Sequence, residues 1–140
     1  MMDLSLIRFV RYLRSVGHSR GFGIQSPFAY KMVTEVVCGR GGGGTKLERL
    51  HDRLSAYCVE NGMRLSVWDL SDGEFRRDIV GEMGRDDVLL VYGLYNNEKS
   101  LVSWRMLRDD SRTGVTIDGG LAGVVFFDLK MYKRNYFVNL

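Results

Sequence analysis

The 140-residue chain is 45% hydrophobic and 26% charged, with a net charge of +3. This balance excludes intrinsic disorder, which requires fewer apolar residues and more net charge, and it gives no indication of a polyanionic partner. The length favours one domain with its own core, and the sequence contains no apolar run of about 18 residues that could form a transmembrane helix.

The N-terminal segment predicts an amphipathic helix. Residues 3–16 carry apolar side chains at helical spacing, while Arg8, Arg11 and Arg14 recur every third residue on the opposite side. The arginines interrupt the only N-terminal apolar stretch, so we predict no signal peptide and expect a cytoplasmic protein.

A second helix and a glycine-rich segment follow. Ser26 suits the N-cap and Pro27 the first turn of a helix that extends to about Cys38. Residues 39–44 are five glycines and one arginine, a composition typical of a linker or mobile loop. With Thr45-Lys46 they partly match a phosphate-binding loop, but a helix precedes them instead of a strand, and we favour the linker.

A third helix is predicted over about residues 46–61. Thr45 and Glu48 form a Thr-x-x-Glu capping box at its start. Cys58 falls on its apolar face, as Cys38 does on the previous helix. We therefore expect two buried thiols and neither a disulfide nor a nucleophile.

The hydrophobic period then changes to that of strands. Residues 64–69 alternate in polarity and predict a strand, which a helix to about Met83 follows. The apolar run 88–92 predicts a buried central strand. The next helix is capped by Asn96 or Asn97.

The C-terminal part is predicted to be β-rich. Residues 115–117, 121–127 and 135–140 predict three strands, and Asp118-Gly119-Gly120 is a strong turn signal. Because the connections are short, we predict antiparallel pairing in a meander.

Two segments at opposite ends of the chain resemble one bacterial protein family. The first is Gly21-Phe-Gly-Ile-Gln-Ser-Pro-Phe28 with Val33-Thr-Glu-Val-Val37. The second is Val115-Thr-Ile-Asp118 with Gly123-Val-Val-Phe-Phe127 and Tyr136-Phe-Val-Asn-Leu140. Together they resemble class I, S-adenosylmethionine-dependent methyltransferase-like proteins.

The resemblance covers about residues 5–38 and 86–140. It implies a helical extension before a doubly wound sheet that ends in an antiparallel pair, and S-adenosylmethionine as cofactor. The chain departs from the family at Gln25, where the family carries His. Residues 45–140 have room for roughly three βαβ units of about 30 residues each, fewer than a full class I sheet needs.

The cofactor-binding turn is the largest departure. Its nearest equivalent is Asp69, Ser71 and Gly73 after the first strand, with one glycine where the family has a glycine-rich pattern. We favour the alternative that Ser71 or Asp72 caps the next helix. A family segment resembling Asp-Asp-Ile-His-Trp becomes Tyr-Gly-Leu-Tyr-Asn at 92–96, without its acids and histidine.

The remaining candidate groups predict little chemistry. His18 and His51 have no Cys or carboxylate partner at metal-ligand spacing, so no metal site and no catalytic residue is assigned. Arg8, Arg11 and Arg14 would suit a nucleic acid or a membrane surface, but we favour a solvated helix face. Binding of nucleic acid would have to weaken steeply with salt.

We predict one α/β domain over residues 1–140, with a helical extension (1–38), a glycine-rich loop (39–44) and a reduced Rossmann-like core (45–140) with antiparallel C-terminal strands. The leading hypothesis is a non-catalytic methyltransferase-like remnant without a cofactor, acting as a binding or oligomerisation domain. The alternatives are an S-adenosylmethionine-dependent methyltransferase with an atypical pocket, and a basic interaction module. Because a shortened sheet leaves uncovered edges, a homodimer is predicted.

Overall fold

The computed structural model describes residues 27–39, 44–71, 77–130 and 133–138. The predicted helix over 3–16, with Arg8, Arg11 and Arg14, lies outside these ranges, as do His18 and Gly73. Within the described part of the chain, no helix is long and apolar enough to span a membrane.

Helices precede and then alternate with strands along the chain. Helix α1 (Pro27–Lys31) continues as a π-helical segment (Met32–Val37), and α2 (Lys46–Glu60) follows. The next elements are β1 (Arg64–Asp69), α3 (Arg77–Glu82), β2 (Asp87–Tyr92), α4 (Glu98–Asp109), β3 (Thr116–Asp118), β4 (Ala122–Phe126) and β5 (Asn135–Phe137). The order of elements from the second helix onward is as predicted.

The helix ends follow the local signals in the sequence. Thr45 Oγ1 accepts a hydrogen bond from the Glu48 amide at 3.2 Å, which confirms the predicted N-cap of α2. Gly62, at φ +65°, follows the end of this helix. Asn97, and not Asn96, caps α4, because its Oδ1 accepts from the Ser100 amide at 2.9 Å.

The second predicted helix changes from α-helical to π-helical hydrogen bonding at Met32–Val37, where an α-helix was expected. The Cys38 amide donates to the Val33 carbonyl, five residues earlier, at 2.8 Å. Arg53 of α2 donates to the last carbonyls of the segment, at 2.6 Å to Val36 and 3.0 Å to Val37. These bonds satisfy carbonyls that a helix end leaves without partners, and they attach the segment to α2.

The five strands form one mixed sheet in the order β1-β2-β4-β3-β5. β1 runs parallel to β2, and α3 lies between them in the chain. β4 runs antiparallel to both of its neighbours, β2 and β3, so those two strands point the same way.

The prediction of a C-terminal meander is wrong in its last strand. β3 and β4 pair antiparallel around Asp118-Gly119-Gly120, as predicted. β5 pairs with β3, and in parallel. The reason is that β2 and β3 occupy both edges of β4, which leaves no edge of β4 for β5, and β5 pairs with the outer edge of β3.

Two apolar clusters cover the two faces of the sheet. In β2, Val88 and Leu90 belong to one cluster, and Leu89 and Val91 belong to the other. The second cluster includes residues of α3 and α4. Helical residues in the first cluster are Ala29, Met32, Val33, Val36, Val37, Leu50, Leu54 and Cys58. The described part of the predicted helical extension is therefore part of the core.

Trp104 packs directly on the sheet at a glycine. Its side chain is fully buried on α4, against Gly123 of β4. A Cβ atom at position 123 would lie 2.5 Å from Trp104 Cη2, closer than any real contact. The glycine therefore provides the space for the indole ring.

Gly123→Ala should lower the free energy of unfolding by about 1–3 kcal/mol, because the added methyl group displaces Trp104. Urea denaturation followed by tryptophan fluorescence measures this. Gly81→Ala in α3 is the matched control, since the nearest atom to its new Cβ is the flexible Arg112 Nη1 at 3.1 Å. Alanine is also the better helix former, so the control should unfold no more easily than the wild type. Unchanged stability of Gly123→Ala would contradict the packing described.

Candidate functional site

A cleft lies at the edge of the sheet where β1, β2 and β3 end. Its volume is about 660 Å³, in the range of small-molecule sites. The walls are Asp69 and Ser71 at the end of β1, the segment 92–96 after β2, the turn 119–121 between β3 and β4, and Leu47 of α2. In open α/β sheets, ligands bind at the carboxyl ends of the strands.

The structure brings two of the three proposed cofactor-binding residues into this cleft. Asp69 and Ser71 line it, whereas Gly73 lies outside the described residues. The Ser71 amide donates to Asp69 Oδ1 at 2.8 Å, which makes an Asx turn at the end of β1. Asn96 Nδ2 then donates to Ser71 Oγ at 2.6 Å. The end of β1 is thus joined to the segment that follows β2.

Gly93 allows these side chains to approach one another. Its φ is +75°, a left-handed conformation that favours glycine. A Cβ there would lie 2.7 Å from Ser71 Oγ and 3.1 Å from Asp69 Oδ1. Both the backbone conformation and the available space therefore require glycine at position 93. The sequence alone did not indicate this requirement.

Tyr95 and Asp118 form a buried link across the base of the cleft. The Tyr95 hydroxyl donates to Asp118 Oδ2, and the Gly120 amide donates to Asp118 Oδ1 at 2.9 Å. Asp118 is fully buried and Tyr95 is 8% exposed. This link holds the segment after β2 against the β3–β4 turn. The sequence identified Asp118 only as a turn residue, because its partner lies on a different strand connection.

Tyr92 places a protonated hydroxyl group at the cleft. Burial, and secondarily the Asp69 carboxylate, raises the pKa of Tyr92 above its usual value. The phenol can therefore donate a hydrogen bond throughout the physiological pH range.

The described residues of the cleft offer hydrogen-bonding groups, and no acid–base pair is found among them. Asp69 carries the only formal charge among the described residues that line it. None of those residues is a histidine, cysteine or lysine, and the hydroxyl of Ser71, a possible nucleophile, has no histidine beside it among them and accepts from Asn96. The arrangement is suited to holding a polar molecule by hydrogen bonds.

The other candidate groups lie elsewhere. His51 is half-buried on α2, and it does not line the cleft. Burial raises the pKa of both the Cys38 and the Cys58 thiol, which disfavours the reactive thiolate. Over the described ranges, no group of three or more His, Cys, Asp and Glu could hold a metal ion.

Comparison of this chain with family models, with curated proteins and with solved structures gives no match. The methyltransferase resemblance therefore stays a prediction from the quoted segments.

Tyr95→Phe should lower the free energy of unfolding by about 1.5–3 kcal/mol, because it removes a donor to a buried carboxylate. Thermal or urea denaturation measures the loss. Tyr30→Phe is the matched control: Tyr30 is 49% exposed, and its loss of a hydroxyl should change stability by less than about 0.5 kcal/mol. If the two substitutions lower the free energy of unfolding equally, the Tyr95–Asp118 hydrogen bond does not stabilise the fold as described.

Proposed function

We propose that this chain is a non-catalytic, methyltransferase-like domain that binds a small polar molecule in the cleft at the carboxyl ends of β1, β2 and β3. The observation that carries the proposal is the linked set of Asp69, Ser71 and Asn96, which is already assembled inside a cavity of ligand size. Preformed polar groups in a concave site are the usual signature of ligand binding.

The topology supports a reduced Rossmann-like relationship. β1 and β2 are parallel and joined through α3, and helices contribute to the apolar clusters on both faces of the sheet. The Gly123-Val-Val-Phe-Phe127 segment falls on β4 and forms an antiparallel pair with β3. The family resemblance implies such a pair near the C-terminus.

The side chains in the cleft favour binding over catalysis. General acid–base chemistry near neutral pH needs a group poised to exchange a proton, and the described cleft residues offer one carboxylate and two phenols. Asp69 uses one of its oxygens on the Ser71 amide. A role in recognition fits this geometry better than proton transfer.

One observation favours a second candidate, an S-adenosylmethionine-dependent methyltransferase with an atypical pocket. Asp69 stands at the end of a parallel strand and faces a cleft, a position from which a carboxylate can hold ribose hydroxyls. Leu47 and Leu121 supply apolar walls for an adenine ring. The cofactor, when bound, would supply an electrophilic methyl group.

Titration calorimetry with adenosine and with S-adenosylmethionine separates the two candidates. The binding domain should take up adenosine, and Asp69→Ala should weaken this binding by about tenfold or more, which is about 1.4 kcal/mol. Asp86→Ala is the matched control. Asp86 is an exposed acid just before β2, so it lies at the amino ends of β1 and β2, away from the cleft.

Micromolar binding of S-adenosylmethionine that Asp69→Ala abolishes would replace the first candidate with the second. Absence of binding by both molecules, or equal affinities of wild type and Asp69→Ala, would contradict the assignment of the cleft.

A further inference from the structure

Four backbone amides at the cleft are already used within the protein. In the turn between β3 and β4, the Gly119 amide donates to Ala122 O at 2.8 Å, and the Leu121 amide donates to Gly119 O at 3.0 Å. The Gly120 amide donates to Asp118 Oδ1 at 2.9 Å, and that of Ser71 to Asp69 Oδ1 at 2.8 Å. A phosphate-binding turn needs several amides that point at the ligand, and these four do not provide them.

At the start of α4, which follows residues 92–96 in the chain, backbone amides also have partners within the protein. Asn97 accepts the Ser100 amide through its side chain at 2.9 Å and the Leu101 amide through its carbonyl at 3.1 Å. Glu98 adds a negative charge to the first turn. The helix dipole, which would otherwise attract an anion, is therefore already compensated.

The side chains give the cleft a negative formal charge. Asp69 contributes −1, and none of the described lining residues is lysine, arginine or histidine. A phosphate group would meet the like charge of Asp69, and no cation among the described lining residues would compensate it. In a partly buried site this repulsion is screened less than in water.

What the cleft does offer is acceptors, hydroxyl groups and apolar walls. Asp69 has its Oδ2 in addition to the oxygen held by Ser71, and Asn96 uses an N–H on Ser71, so its Oδ1 is left as an acceptor. The Tyr92 hydroxyl can donate or accept. Leu47 and Leu121 provide apolar surface beside these groups.

We infer that the cleft selects an uncharged or cationic molecule that combines an apolar part with hydroxyl donors, and that it rejects the phosphorylated form of the same molecule. This inference rests on the proposed binding function and names the class of ligand for it. Asp69 is the residue that sets the selectivity, because it both accepts from a ligand hydroxyl and repels a phosphate.

The test compares adenosine with adenosine 3′-monophosphate, in which a phosphate replaces one of two neighbouring hydroxyls. Titration calorimetry or ligand-observed NMR at low salt should give a dissociation constant at least about tenfold higher for the monophosphate. Asp69→Asn keeps the shape of the side chain and removes its charge. In this variant adenosine should bind more weakly and the two dissociation constants should converge to within about threefold.

Asp86→Asn changes the net charge by the same amount away from the cleft, and it should leave the tenfold preference intact. Raising the salt concentration should narrow the preference of the wild type, because ions screen the repulsion.

Equal affinity for adenosine and its monophosphate in the wild type would overturn the inference while leaving the proposed binding function standing. A preference that persists in Asp69→Asn would also overturn it. If neither molecule binds the wild type, the proposed function itself fails.

Discussion

The arrangement of the cleft depends on one strand that runs against its neighbours. β4 pairs antiparallel with β2 on one edge and with β3 on the other, so the ends of those two strands fall on the same side of the sheet. The segment after β2 and the turn after β3 are therefore held about two strand spacings apart, across the first residues of β4. This distance is short enough for the Tyr95 hydroxyl to reach Asp118.

The burial of Asp118 stabilises the contact between the segment after β2 and the β3–β4 turn. Asp118 is fully buried, and a buried carboxylate must have hydrogen-bond donors, which Tyr95 and Gly120 supply. Opening the cleft wall would leave the carboxylate short of a donor. Next to this link, Trp104 packs closely on Gly123, the second residue of β4. The part of the sheet beside the cleft is therefore tightly packed.

Local signals in the sequence predicted most of the elements, because caps, glycines and periodicity act within a few residues. Thr45 at the start of α2, the alternating strand at 64–69 and the apolar β2 are examples. The pairing of β5 was not predictable in this way. Its place depends on β2 occupying the second edge of β4, and that pairing joins residues 30 or more positions apart in sequence. The contacts at the end of the π-helical segment likewise come from a different helix, through Arg53.

The candidate site could be predicted in part. Asp69 and Ser71 were identified because they follow a strand, and the structure places both in the cleft. The alternative that Ser71 or Asp72 caps the next helix stays a prediction, because residues 72–76 lie outside the described ranges. Within those ranges, the Ser71 hydroxyl accepts from Asn96. Gly93 and Tyr95 were interpreted only as lost family residues, and Asn96 also as a possible helix cap. Their roles arise from contacts with Ser71 and Asp118, which no local pattern in the sequence reveals.

We propose that the cleft formed by the three strand ends binds the protein's ligand. An NMR titration of the backbone amides with adenosine is the decisive experiment. We expect the largest shift changes at Asp69–Ser71, Tyr92–Asn96 and Gly119–Leu121, with one binding curve common to all three segments. Changes centred on the opposite edge of the sheet, or none at saturating adenosine, would contradict the claim.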